Sequence, residues 1–105
     1  IQDNGLPMEI AEALLSRATE NARRDLFASF PVFRNLDEVR QDALVNLVFN
    51  MGITRFSKFV KAIRAMEVGE YAQAVEHFLD SKWAKQVQIE RVKDITHMIQ
   101  TGRYP

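Results

Sequence analysis

Apolar residues crowd most densely in one stretch, Ala43-Leu-Val-Asn-Leu-Val-Phe-Asn-Met51, where seven of nine are apolar. At helical spacing they cover nearly the whole circumference instead of one stripe. A helix that is apolar all round belongs inside a domain, wrapped by other helices. Nine residues are too few to cross a bilayer, which needs about 20. Asn35 or Asp37 can cap the start, acid sits in the first turn, and Gly52 can stop the end. The pattern therefore predicts a buried helix from Glu38 to Met51. Asn46 and Asn50 interrupt it. Each needs hydrogen bonds or a cleft to face, because an unpaired buried amide costs about 1–3 kcal/mol.

The flanking segments show the helical period more loosely. Ile1 to Gly5 reads as a frayed lead-in, and Pro7 suits the first position of a helix. Ile10, Ala11, Leu14, Leu15, Ala18, Ala22 and Leu26 continue that helix to about Phe27. Its second half offers only alanine on the apolar side, which predicts a helix of about 30 Å that bridges two bodies, only one of them present here. Phe27 to Phe33 is a connector with three aromatics and a helix-ending proline. After Gly52, the residues Phe56, Phe59, Val60, Ile63 and Met66 fall at the helical period as far as Gly69, with Arg55, Lys58, Lys61 and Arg64 as a basic ridge opposite. Tyr71, Ala74, Val75, Phe78 and Leu79 predict a short helix. Ser81 to Gln88 reads as a connector holding Trp83, which is expected in the core. Ile89, Val92, Ile95 and Ile99 predict a last amphipathic helix closed by Thr101-Gly102. No stretch alternates at period two for long, so the fold class is all-α.

Composition changes this picture little. The 105 residues suffice for one domain with a real core. Fourteen basic residues balance fourteen acidic ones, which argues against general nucleic-acid binding. There is no cysteine, hence no disulfide and no thiolate metal site. Neither a signal-peptide pattern nor a transmembrane run is evident. A start at Ile1 instead of methionine suggests a processed product or a truncated piece.

Candidate chemistry is sparse. Glycoside hydrolysis needs two carboxylates in different environments. Glu9, Glu12 and Glu20 read as a solvated helix face. Asp42 reads as a first-turn acid on the one wet edge of the buried helix. His77 and His97 form no metal-ligand pair, and Asp94 with His97 is a weak one. Ser57 and Ser81 lack an elbow motif or a nearby histidine. Four scattered glycines make no phosphate-cradling loop. The basic ridge is either an ordinary solvated face or a lure for a polyanionic surface.

Asn35-Leu-Asp-Glu-Val-Arg-Gln-Asp-Ala-Leu-Val-Asn-Leu-Val-Phe-Asn-Met-Gly52 resembles the central helix of the T-even-type phage lysozymes (endolysins), with their pattern L-x-x-V-R-x-x-A-L-x-N-x-V-F-x-M-G. A phenylalanine-containing helix follows, matched by Phe59. Gly69-Glu-Tyr71 matches the glycine–aromatic turn, Ala72 to Ala74 the alanine-rich helix, and Ser81-Lys-Trp-Ala-Lys-Gln86 the tryptophan connector. Thr101-Gly102 matches the end of the last helix. The likeness runs unbroken from about Pro31 to Gly102, and the first helix looks like the long helix joining the two lobes of that family.

The resemblance implies a lysozyme-like carboxy-terminal helical lobe around one buried central helix, with residues 1–30 as inter-lobe helix and connector and residues 31–105 as the lobe. It implies cleavage of peptidoglycan glycan between N-acetylmuramic acid and N-acetylglucosamine, without a cofactor, by a catalytic lobe absent from these residues. This chain would be the floor of the cleft and inactive alone. The substrate-contact positions carried over are Phe49, Ala62 in place of a serine, and His77 in place of an amide. Asn50, replacing another amide, and Gln86 of the tryptophan connector are further candidates. The expected partners are peptidoglycan and the missing lobe, with no nucleic acid and no membrane insertion. An apolar patch near Met8 and Ile10 would be left open to self-association. By the same likeness the protein would stay in the host bacterial cytoplasm until released to the cell wall. A non-enzymatic lysozyme-like binding or structural module is the alternative.

Overall fold

The computed structural model describes residues 8–87 and 89–105, with side chains from Arg17 onward. Helix α1 runs Met8–Ser29. Among its described side chains it buries only Ala22 and Leu26, as its thin apolar pattern requires. The patch expected near Met8 and Ile10, and the acids Glu9 and Glu12, lie outside the described side chains. The connector folds down as expected: a 3₁₀ turn, Pro31–Asn35, buries Phe33, and Phe30 lies edge-on to Phe56 with ring centroids 5.8 Å apart.

Helix α2 spans Glu38–Met51, as the pattern predicts. Asp37 is its N-cap, and its side chain accepts a hydrogen bond from the Arg40 backbone N–H at 3.0 Å. Ala43, Leu44, Val45, Leu47 and Val48 are all buried. Helix α1 packs on one side of α2 and helix α7, Ile89–Thr101, on another. Gly52 leads directly into the short helix α3, Ile53–Phe56.

The structure corrects the reading of residues 53–66 as one helical run. Helix α4 starts anew at Val60–Glu67. Between the two, the Ser57 hydroxyl donates to the Ile53 carbonyl at 2.7 Å, and the Lys58 and Phe59 N–H groups bond three residues back. Such local bonds tighten and end an α-helix. The restart re-phases the apolar face: Ala62, Ile63, Ala65 and Met66 are buried, whereas Val60 is 63% exposed. The basic ridge is broken for the same reason, with Arg55 on α3, Lys58 in the turn, and Lys61 and Arg64 on α4.

Helix α4 pairs with α5, Tyr71–Leu79. Gly69, at φ +81°, lets the Glu70 N–H reach the Ala65 carbonyl at 2.8 Å and the Gly69 N–H reach Met66, a Schellman cap that turns the chain back. The expected connector at residues 81–88 contains a short helix, α6, Lys82–Gln86, which Ser81 caps by accepting from the Ala84 N–H. Trp83 is buried there, as expected. Helix α7 buries Val92, Ile95 and Ile99, but Ile89 at its first position is exposed. No strand occurs among the described residues.

Candidate functional site

Asn46 and Asn50 lie one turn apart on α2, and both are exposed. The Asn50 amide nitrogen donates to the Asn46 carbonyl at 2.8 Å and to the Asn46 side-chain oxygen at 2.7 Å. The Asn50 side-chain oxygen accepts from Arg91 of α7. Neither amide is an unpaired buried group. Together they form a polar seam along the one wet edge of a buried helix.

Grooves open on both sides of that seam. The first, about 420 Å³, is lined by Asn50, Arg55, Phe59, Lys82, Trp83 and Gln86 among others. Helices α2, α3 and α6 place these side chains except Phe59, which sits at the N-cap of α4. No carboxylate lines this groove. The indole nitrogen of Trp83 is buried and has no hydrogen-bond partner among the described residues.

The second groove, about 340 Å³, lies between α1 and α2 and is lined by Thr19, Arg23, Asp42, Val45, Asn46 and Phe49. Asp42 is its sole carboxylate. One Asp42 oxygen accepts from Arg23 at 2.9 Å and the other from the Tyr104 hydroxyl. Hydrogen bonding to Asp42, then slight desolvation and the Asp42 charge, push the Tyr104 phenol up to about 12. Asp42 is therefore not a bare first-turn acid but the centre of a three-residue clamp. Hydrolysis of a glycosidic bond by paired acids needs two carboxylates across the scissile bond. Among the described residues neither groove offers that pair.

The structure separates the expected contact residues. Asn50 and Gln86 share the first groove. Phe49, 40% exposed, stands in the second. Adjacent residues on a helix point about 100° apart, so Phe49 and Asn50 face opposite sides of the seam. Ala62 is only 1% exposed and packs in the core, so its side chain meets neither groove. His77 is exposed on α5 and lines neither groove. Of the basic ridge, Arg55 lines the first groove, whereas Lys58, Lys61 and Arg64 line neither.

The family model for phage lysozyme matches residues 3–97. The chain belongs to the phage lysozyme family. Similar proteins include two from Dictyostelium discoideum. The probable T4-type lysozyme 2 is 34% identical over 71 residues, 68% of this chain and 41% of that protein. The probable T4-type lysozyme 1 is 30% identical over the same share of each. The pre-baseplate central spike protein Gp5 of Enterobacteria phage T4 is 32% identical over 100 residues, 92% of this chain and 17% of that protein. This chain thus spans less than half the length of these relatives. Its all-helical described architecture is that of a lysozyme-like lobe.

For this phage lysozyme-family chain, three site residues escape sequence reasoning. Arg91 is 41 residues from its partner Asn50, and Tyr104 is 62 residues from Asp42. No local pattern carries such pairings. Lys82 could have been noticed as the basic residue beside the tryptophan. No helix among the described residues is long and apolar enough to cross a membrane.

Proposed function

We propose that the chain is the helical lobe of a peptidoglycan-degrading lysozyme. It forms the floor on which glycan lies while carboxylates supplied from outside these residues cleave the bond between N-acetylmuramic acid and N-acetylglucosamine. The observation that carries this reading is the amide-and-tryptophan groove of Asn50, Trp83 and Gln86 in a lobe of the phage lysozyme family. Exposed amides hydrogen-bond sugar hydroxyls and peptide groups, and the buried Trp83 beneath them gives the groove a rigid apolar base. Phe49 adds an apolar wall on the far side of the seam. Paired-carboxylate hydrolysis needs no cofactor. In this reading the protein is held in the host cytoplasm and then released to the cell wall, and peptidoglycan and the catalytic lobe are its partners.

A second reading is a lysozyme-like module that binds peptidoglycan without cleaving it. The match to a central spike protein shows such a lobe carried within a much longer protein, 92% of this chain corresponding to 17% of it, which is how a module would be used. A turbidity assay on permeabilised Gram-negative cells, together with pull-down on purified sacculi, tests the proposal. The 105-residue chain alone is expected to be retained on sacculi and to cause no lysis above buffer. Lysis would place a complete acid pair in these residues. Absence of retention would reject the cleft-floor role.

A further inference from the structure

We propose that the first groove selects its ligand by charge, with Arg55 and Lys82 as the selecting residues and free peptide carboxylates as what they select. This rests on the reading of the chain as a peptidoglycan-binding lobe. Both cations line the groove and no acid does. Asp80 and Glu90, the nearest acids in sequence, lie outside its lining. Arg91 lies outside the lining too, but its bond to the lining residue Asn50 ties a third cation to the groove. Net charge across the chain is zero, so this local excess is an arrangement of the fold and not a property of composition.

A glycan backbone of N-acetylated sugars is neutral. The peptides attached to it end in carboxylates and carry them on side chains. A cationic groove therefore discriminates between peptidoglycans by the state of those carboxylates. Charge-assisted bonds from Arg and Lys to carboxylate are about twice as strong as neutral ones. Amidation converts each carboxylate to a neutral group of nearly the same shape, so it removes the attraction while leaving the fit.

Trp83 lies beneath the groove, with its indole N–H buried and without a partner among the described residues, so a ligand seated above it changes the surroundings of the ring without reaching that N–H. The seam fixes the rest: the Asn50 nitrogen is turned to Asn46 and its oxygen to Arg91, so the amide holds the Arg91 cation beside the groove.

Trp83 is the only tryptophan in the chain, so its fluorescence reports on the groove directly. The test titrates the chain with two soluble disaccharide–peptides, identical except that one has its free carboxyls amidated. The free-acid form is expected to shift Trp83 emission and to bind about tenfold or more tightly than the amidated form. Arg55→Glu/Lys82→Glu is expected to abolish that preference, and Arg55→Lys to keep most of it. Far-ultraviolet circular dichroism confirms that the variants fold. Equal binding of the two ligands, or a preference that survives the double charge reversal, would overturn the inference. Inorganic phosphate competing as well as the free-acid ligand at matched ionic strength would overturn the assignment to carboxylates. Retention on sacculi without charge preference overturns this inference alone, whereas loss of retention overturns the reading beneath it.

Discussion

Arg40 Nε donates to the carbonyl of Ile99 at 2.6 Å, joining the first turn of α2 to the last turn of α7 across 59 residues. The same guanidinium donates to the Gln100 carbonyl at 3.1 Å and to Asp37 at 3.0 Å. Its carbon lies 3.7 Å from the ring centre of Tyr71 on α5. One side chain thus satisfies two orphan carbonyls at the negative end of α7, pairs with the N-cap of α2 and stacks on a third helix. A guanidinium can do this because its donors lie in one rigid plane with open faces.

Arg40→Leu should therefore destabilise the lobe by about 1.5–3 kcal/mol, the range for losing a hydrogen bond to a charged group. Arg40→Lys should recover only part, since an ammonium cannot serve both carbonyls and the ring. Gly102 tests the same joint from the other side. It sits at φ +71°, and an added Cβ would come within 2.9 Å of the Arg40 guanidinium. Gly102→Ala should cost about 1–2 kcal/mol from the left-handed backbone alone. Urea melts of the three variants check both expectations, and parental stability in Arg40→Leu would refute the bracing role.

Leu44 is fully buried in α2. Leu44→Ala should cost about 2–5 kcal/mol, a range established on a phage lysozyme itself and so shared with this family. Val48→Ala should cost less, because fewer atoms are removed. A loss below about 1 kcal/mol in denaturant melts would mean that the core collapses around the site.

Asp37 gives the lobe a pH dependence. Partial burial raises its carboxyl, but the Arg40 backbone N–H, the guanidinium bond and the Arg40 charge outweigh that and hold it below the usual carboxylate range. A depressed folded pKa contributes stability that is fully present above the unfolded value of about 3.9 and is lost as pH falls through the folded pKa. Asp37→Asn keeps a capping oxygen but drops the charge. It should cost less than about 1 kcal/mol near neutrality, since the Asp37 side chain is 40% exposed and water screens its charge. The difference from the parent should vanish in melts taken below the folded pKa. A gap that persists at low pH would assign the effect to the cap instead.

Tyr104 gives a signature at the other end of the scale. The phenol is pushed up to about 12, so the folded chain holds its proton longer than the unfolded one. The stability this adds is present below the unfolded value of about 10 and is lost as pH rises through the folded pKa. Absorbance titration should show a late tyrosine ionisation that disappears in Tyr104→Phe and moves earlier in Asp42→Asn. A parent without a late phase would show that the clamp does not persist in solution.

The sequence by itself determined the helices whose patterns are locally complete. Helix α2 was legible end to end, because cap, apolar circumference and glycine stop all lie within 18 residues of one another. The family was legible from the same stretch and from the tryptophan connector. Tertiary structure alone decided the break at Ser57, where back-bonding and the burial of Phe56 outweigh a continuous helical period, and with it the dispersal of the basic ridge. It also decided the site. Phe49 and Asn50 are neighbours in sequence but part to opposite grooves through 100° of helix rotation. Arg55 and Lys82 meet at one groove from two helices, and Arg91 of a third bonds to Asn50 there. Ala62 turns into the core because α4 is re-phased. Pattern reading sees faces of single helices, whereas a groove is made between helices. Its side chains are set by packing angles that no single segment encodes.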